Sequence, residues 1–390
     1  MIHANINQLF TFYNSVGCEI EPLRTFFHCD LTYFPPKTQW THMSVIQTSN
    51  QTFTPTTGIE YSSNWKNTTP SIQVSGIYEE GYEPFTFPLE LRITNVSLLK
   101  SQLQKCVRRK HTELAVLTGW TLMKLDFEQF IRRLAIIMNE DVYLHTDVLP
   151  VIVWITSACT HGYQPSLKVV MWLLGVIKGL CETEYYDPTI ISHTKHDNFN
   201  YTKIDTEQLT EHEINFLYSL LFRRSFGGLL NDIVMMNNSL CEWHTRFLEK
   251  TVDYETIQMR DFVVEYVCPP IDVELTNNHI LISSLDFHVY PNILELIFVR
   301  FENVLNDYVR DVMKIDGMVV SQDDIKGIIW HFSSGINVRT KYYDSKKMKY
   351  MERKKTNDAK NELYQTYARL WEIIKPEYYL IAYKRIMSIG

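Results

Sequence analysis

The sequence predicts an α+β protein that is predominantly helical. It divides into a β-rich N-terminal domain (1–97), a central all-helical domain (98–255) and a C-terminal domain of mixed strands and helices (256–390). Three observations carry this. Residues 1–97 alternate apolar and polar positions between turn-rich stretches, the pattern of half-buried strands. From Leu98 the apolar residues recur at three- and four-residue spacing, the pattern of amphipathic helices. Beyond residue 255 both patterns return. With 45% hydrophobic and 21% charged residues, and only 14 Gly and 14 Pro, the chain has the composition of a folded protein rather than a disordered one.

In the N-terminal part, "RTFFHCDLTYF" and "FTFPLELRITNV" read as strands and "QTSNQTFTPTTGIEYSSNW" as turns. In the central part Leu99, Leu103, Cys106 and Val107 mark a first helix, and Leu114, Leu117 and Leu122 a second. Asp126 is the expected cap of a third, whose apolar face is Phe127, Phe130, Ile131, Leu134, Ile137 and Met138. Thr146 is placed to cap a fourth, and a fifth runs from about Ser166 to Cys181. Thr210 to Glu213 form a capping box for the next. After the Gly227-Gly228 break two more helices are expected, the second capped by Ser239. In the last part "FVVEYVCPPIDVEL" and "HILISSLDFHVY" read as strands, and Pro291 opens a long helix. Ser321 begins another, and "NELYQTYARLWEII" forms a final helix that should stop at Pro376.

Several function classes fall away. No P-loop (GxxxxGK followed by Ser or Thr) and no GxGxxG occurs, so the sequence offers no phosphate cradle of either kind. The seven cysteines are scattered, with no CxxC pair, which argues for a reducing intracellular compartment, cytoplasmic or nuclear. The longest apolar runs, 148–159 and 169–177, fall short of the roughly 20 residues a membrane span needs. A net charge of −7 excludes a surface coated in nucleic acid, so contact of that kind must come from local patches. No cofactor is implied.

Two such patches stand out. Between Leu98 and Arg133 there are eight Lys or Arg against three acidic residues, including Lys105, Arg108, Arg109, Lys110, Arg132 and Arg133. These could hold a phosphate backbone, dock an acidic partner, or pair internally with Glu140 and Asp141. The second patch, 339–360, has nine basic residues against Asp344, Glu352 and Asp358, with Tyr342, Tyr343 and Tyr350 interleaved. Cations there neutralise phosphates and tyrosines stack on unpaired bases. Its candidate contacts are Lys346, Lys347, Lys349, Arg353, Lys354 and Lys355; a solvated linker is the competing reading.

The stretch from Leu98 to about residue 180 resembles the C-terminal helical region of the MgsA/RarA family. These are clamp-loader-like AAA+ ATPases that include the Werner-helicase-interacting ATPase. The matching positions are Lys105, Arg108, Arg109, Ala115, Trp120, Arg132, Arg133, Glu140, Asp141 and Leu144. The resemblance implies a helical collar that holds subunits in a ring near DNA. The family's ATPase module precedes this region, and residues 1–97 carry no Walker motif, which removes ATP hydrolysis from the expectation.

The favoured expectation is therefore a non-catalytic accessory or assembly protein of a DNA replication or repair system, with a viral origin fitting its composition. It would bind DNA or RNA, a protein partner or further copies of itself, and no membrane. One alternative is a metal-dependent phosphodiesterase or nuclease. In it Asp286 and His288, two apart on a strand, would meet His331. Another is a structural virion protein. His193 and His196 read as loop residues, and "RRSFGGLLND" as a helix break rather than a phosphate loop.

Overall fold

The computed structural model describes residues 24–43, 59–61, 72–78, 81–89, 91–160, 162–187, 199, 204, 207–251, 264–315, 317–339 and 358–389. Four strands, β1 (Arg24–Asp30), β2 (Lys37–Met43), β3 (Ile59–Tyr61) and β4 (Ile72–Ile77), form one sheet in the order β2-β1-β4-β3. β1 pairs antiparallel with β2, setting Phe27 opposite Trp40, and parallel with β4, setting Cys29 opposite Gly76. The alternation in β1 puts Phe27 and Cys29 on the buried face.

Ten helices are described. Five form the first helical block: α1 (Val96–Arg108), α2 (Thr112–Leu125), α3 (Phe127–Asp141), α4 (Val148–Cys159) and α5 (Leu167–Glu182). α6 (Glu211–Ser225) and α7 (Leu230–Leu248) follow, and α8 (Ile293–Asp307), α9 (Gln322–Ile329) and α10 (Asp358–Met387) belong to the last third. The cap read from sequence forms at α3, where Asp126 accepts from Gln129 N at 2.9 Å, and α5, expected from about Ser166, is capped by that residue, which accepts from Val169 N. The capping boxes of α6 (Thr210 with Glu213) and α9 (Ser321 with Asp324) also close. α4 is entered through Asp147 rather than Thr146.

Further expectations are corrected. The stretch "FTFPLELRITNV" forms no strand at its described residues 85–89 and 91–95, and its last residue, Val96, opens α1. α7 is one helix, because the Ser239 hydroxyl reaches the Met235 carbonyl and Asn139 Oδ1 and so sits inside the helix without breaking it. α10 runs through Pro376. A single apolar face, Leu370, Trp371, Ile374, Tyr378, Ala382 and Ile386, stays buried on both sides of the proline and offsets its missing N–H. The described part of 256–290 contains no strand. Residues 264–270 run alongside α5, where Val267 N bonds Met171 O at 3.1 Å, and 277–279 and 282–284 are single 3₁₀ turns. The Pro269-Pro270 pair removes two donors that a ladder would need.

The three parts share one continuous hydrophobic cluster that reaches from Phe27 to Ile386. Phe27 stacks on Trp40 at 4.2 Å and meets Phe222 of α6 edge-on, while Trp40 Nε1 donates to Ser219 Oγ at 3.0 Å. Trp154 of α4 donates to the Ser75 carbonyl at 2.8 Å and lies over Gly76, where a Cβ would come within 2.6 Å of its ring. No described helix is long and apolar enough to cross a membrane.

The tightest joint lies on α5. A Cβ on Gly175 would fall 1.7 Å from the Glu265 carbonyl oxygen, a backbone atom that cannot swing away as a side chain could. Gly175→Ala is therefore expected to lower the free energy of unfolding by about 1–3 kcal/mol, or more if the segment detaches, as read by urea titration. Gly162→Ala, where no atom lies within 4 Å but φ is +91°, should lose only the left-handed backbone preference, of order 1–2 kcal/mol.

Candidate functional site

The C-terminal half of α1 carries the densest cluster of charge. Three- and four-residue spacing puts Ser101, Lys105 and Arg108 on one side of the helix, and this side faces into the protein. Lys105 and Arg108 are 4% and 3% exposed, so they present no charge at the surface. Arg108 bonds Asp141 through Nε and Glu140 through Nη2, donates through Nη1 to the Ser334 carbonyl at 2.9 Å, and lies 5.2 Å from the Trp330 ring. Gln104 donates to Glu140 at 2.7 Å and Asp141 at 2.9 Å, so both carboxylates of α3 are tied to α1 twice.

Lys105 completes the second half of the site. Its Nζ is 3.1 Å from Asp286 Oδ2 and 3.1 Å from Ser101 Oγ. Asp286, 0% exposed, accepts from His288 N at 2.9 Å and lies 3.2 Å from His288 Nδ1. Arg109 bonds Ser283 Oγ and the Ser333 carbonyl, and Lys110, at φ +59°, pairs with Glu184. Residues 333–339 are thereby laid across the end of α1. Val338 N bonds Arg108 O at 3.0 Å, and Asn337 donates to the Asp141 carbonyl at 2.8 Å. Arg339, 1% exposed, donates to Val107 O at 2.8 Å, Leu180 O at 2.5 Å, Cys181 O at 3.0 Å and Thr183 O at 3.0 Å.

Burial opposes charge throughout this cluster, and the partners decide the balance. For Arg108 burial works against the cation, but Asp141 and Glu140 outweigh it and hold the guanidinium above its usual range. For Asp141 burial wins over Arg108 and Gln104, and the carboxyl is pushed up to about 6. For Asp286 burial is outweighed by the His288 hydrogen bond and the Lys105 charge, which hold the carboxyl well below the usual carboxylate range. Lys105 is lowered, chiefly by burial, with Asp286 opposing.

The remaining predicted positions are distributed around this centre. Ala115, Trp120 and Leu144 belong to the core. Arg132 pairs with Glu128 at 3.2 Å and donates to the Phe226 carbonyl at 3.1 Å, and Arg133 is half-buried beside it. Lys346, Lys347, Lys349, Arg353, Lys354 and Lys355 lie outside the described residues, as do His193 and His196. The proposed metal trio is corrected. Asp286 and His288 meet in a turn rather than on a strand, and His331 is exposed, edge-on to Tyr364 of α10. Among the described residues no three His, Cys, Asp or Glu side chains gather as a metal would require. Sequence reasoning missed Gln104, Trp330, Asn337 and the inward course of Arg339. No local pattern marks them, because their partners lie 30 or more residues away in the chain.

Comparison with protein-family models, with curated proteins and with solved structures finds no match to this chain.

The Lys105–Asp286 pair joins the helical block to the last third, and its removal has a calculable outcome. Asp286→Asn leaves a buried ammonium without its counter-charge and should cost about 3–5 kcal/mol at pH 7 in urea unfolding, whereas Lys105→Met with Asp286→Leu should cost less. The folded carboxyl titrates below its unfolded value near 3.9, so its contribution is present above about pH 4 and is lost as pH falls toward the folded value. Asp286→Asn should accordingly flatten the decline of stability below about pH 4.

Proposed function

We propose that this chain is a non-catalytic accessory or assembly protein of a DNA replication or repair system. In this reading its helical block is a rigid scaffold, and the basic segment 339–360 supplies the nucleic-acid contact. One observation supports the reading above others: the cations on the inner side of α1 are used inside the molecule. Lys105, Arg108 and Arg109 bond carboxylates, a serine hydroxyl and main-chain carbonyls of 283–334. A buried cation so engaged fixes packing and contributes nothing to long-range attraction of phosphate.

Exposed attraction then has to come from elsewhere. Of the nine basic residues in 339–360, Arg339 is internal, which leaves eight against three acidic residues in a stretch that also holds three tyrosines. The resemblance of 98–180 to the collar of clamp-loader-like ATPases favours a DNA-associated assembly as the setting. On that view the Arg108 network serves the helical packing that a collar needs, with no nucleotide chemistry attached.

Electrophoretic shift with single- and double-stranded DNA at two salt concentrations tests this. The wild-type chain should bind at low salt, with affinity falling steeply as salt rises. Replacing Lys346, Lys347, Lys349, Arg353, Lys354 and Lys355 by Gln should remove most of that binding and its salt dependence together. Binding that is flat in salt, or unchanged in the substituted chain, rejects the assignment.

A further inference from the structure

A second group of cations gathers on an adjacent side of α1, where α1, α3 and α6 meet the start of α7. Lys100 donates to Gln129 Oε1 at 2.9 Å, and Arg132 and Arg133 lie close enough to Lys100 and to Arg223 that their charge, added to burial, lowers Lys100 and brings Arg223 down to about 10. The acids here are few. Asp126 caps α3, Glu128 pairs with Arg132, and Asp232 lies in the first turn of α7.

The hydrogen bonding is incomplete. Arg223 is 3% exposed and donates to the Arg132 carbonyl at 2.8 Å, with Gly227 O at 3.5 Å, yet its buried Nε has no acceptor. Among the described residues, Arg133 makes no hydrogen bond or ion pair, and neither does Asp232, although Arg133 is its strongest favourable charge. Buried guanidinium donors in native proteins are ordinarily satisfied, so the orphaned Nε of Arg223, with the unbonded Arg133 nearby, marks a place for an external acceptor. Over the group runs the turn Phe226-Gly227-Gly228-Leu229, with φ of +73° and +144° at the glycines, and it leads into a helix whose first turn has no side-chain cap.

We propose that Lys100, Arg132, Arg133 and Arg223, with the Gly227-Gly228 turn, form an anion site for the phosphate group of a phosphate ester. Arg133 supplies the free planar donor, Lys100 a point charge, and Arg223 holds the turn in place through its carbonyl contacts. Asp232 is the internal anion that a bound phosphate must tolerate, so it sets an upper bound on affinity. The site lies apart from 339–360 and stands or falls independently of the contact proposed there.

The probe is a fluorescently labelled single-stranded oligonucleotide, with inorganic pyrophosphate as a second arm, on the protein whose six basic residues at 346–355 are already Gln. Binding measured by anisotropy should weaken about tenfold in Arg133→Gln and in Lys100→Gln, the size of one charge-assisted hydrogen bond. It should tighten in Asp232→Asn, an effect that loss of fold cannot mimic. Oligonucleotide binding that pyrophosphate does not displace assigns the site to a nucleic-acid backbone. Pyrophosphate binding alone assigns it to a free phosphate compound. Failure of both probes to bind, or binding indifferent to Arg133→Gln and Asp232→Asn with thermal unfolding unchanged, overturns the proposal.

Discussion

The Arg108 guanidinium, enclosed by Glu140, Asp141 and the Ser334 carbonyl, is the contact on which the architecture turns. A cation removed from water costs several kcal/mol unless its donors are matched, and the partners come from two distant parts of the chain. The two carboxylates belong to the end of α3, and the carbonyl belongs to the turn after α9. Satisfying one side chain therefore fixes the angle of α3 on α1 and seats the last third of the chain against both. Gln104 and Asn337 tie the same Asp141 residue through its side chain and its main chain, so the arrangement tolerates little displacement.

The geometry of the sheet obeys the same economy with apolar groups. Gly76 admits the Trp154 ring and Gly175 admits the Glu265 backbone, two close approaches that replace side-chain volume with direct contact between elements. Joints of this kind are stiff, because interiors packed to crystal-like density cannot absorb even a methyl group without moving something. They make the sheet, the helical block and the 264–292 segment behave as neighbours in one core rather than as beads on a string.

How far the sequence could be read depended on the range of the interactions. The helical period of α1 to α6, the caps at Asp126 and Thr210, the helix starts near Ser166 and Ser321, and the alternation of β1 are local, and all were legible. The pairing of basic and acidic residues between α1 and α3 was legible as one option among three, since Glu140 and Asp141 are near in sequence. What could not be read were contacts that close long loops. Asp286 looked like half of a metal site because Lys105, 181 residues earlier, is invisible to any window around "SSLDFHVY". Ser239 looked like a cap because Asn139, its partner, lies 100 residues away. Pro376 looked like a terminus because the propensity of one residue was weighed without the apolar face that continues past it.

Arg339 illustrates how misleading a tally of formal charges can be. Among the described residues its guanidinium has no carboxylate at hydrogen-bond distance, and it gathers main-chain oxygens from the C-terminal ends of α1 and α5. Each C-terminal helix end carries roughly half a negative elementary charge through its aligned peptide dipoles. Two of them converging on one guanidinium offset much of its charge, so the residue adds little to the surface field though the sequence counts it as basic. A lysine in its place would keep the formal charge and lose the fan of donors that reaches two termini at once, so at this position shape, rather than sign, is what evolution would have to conserve.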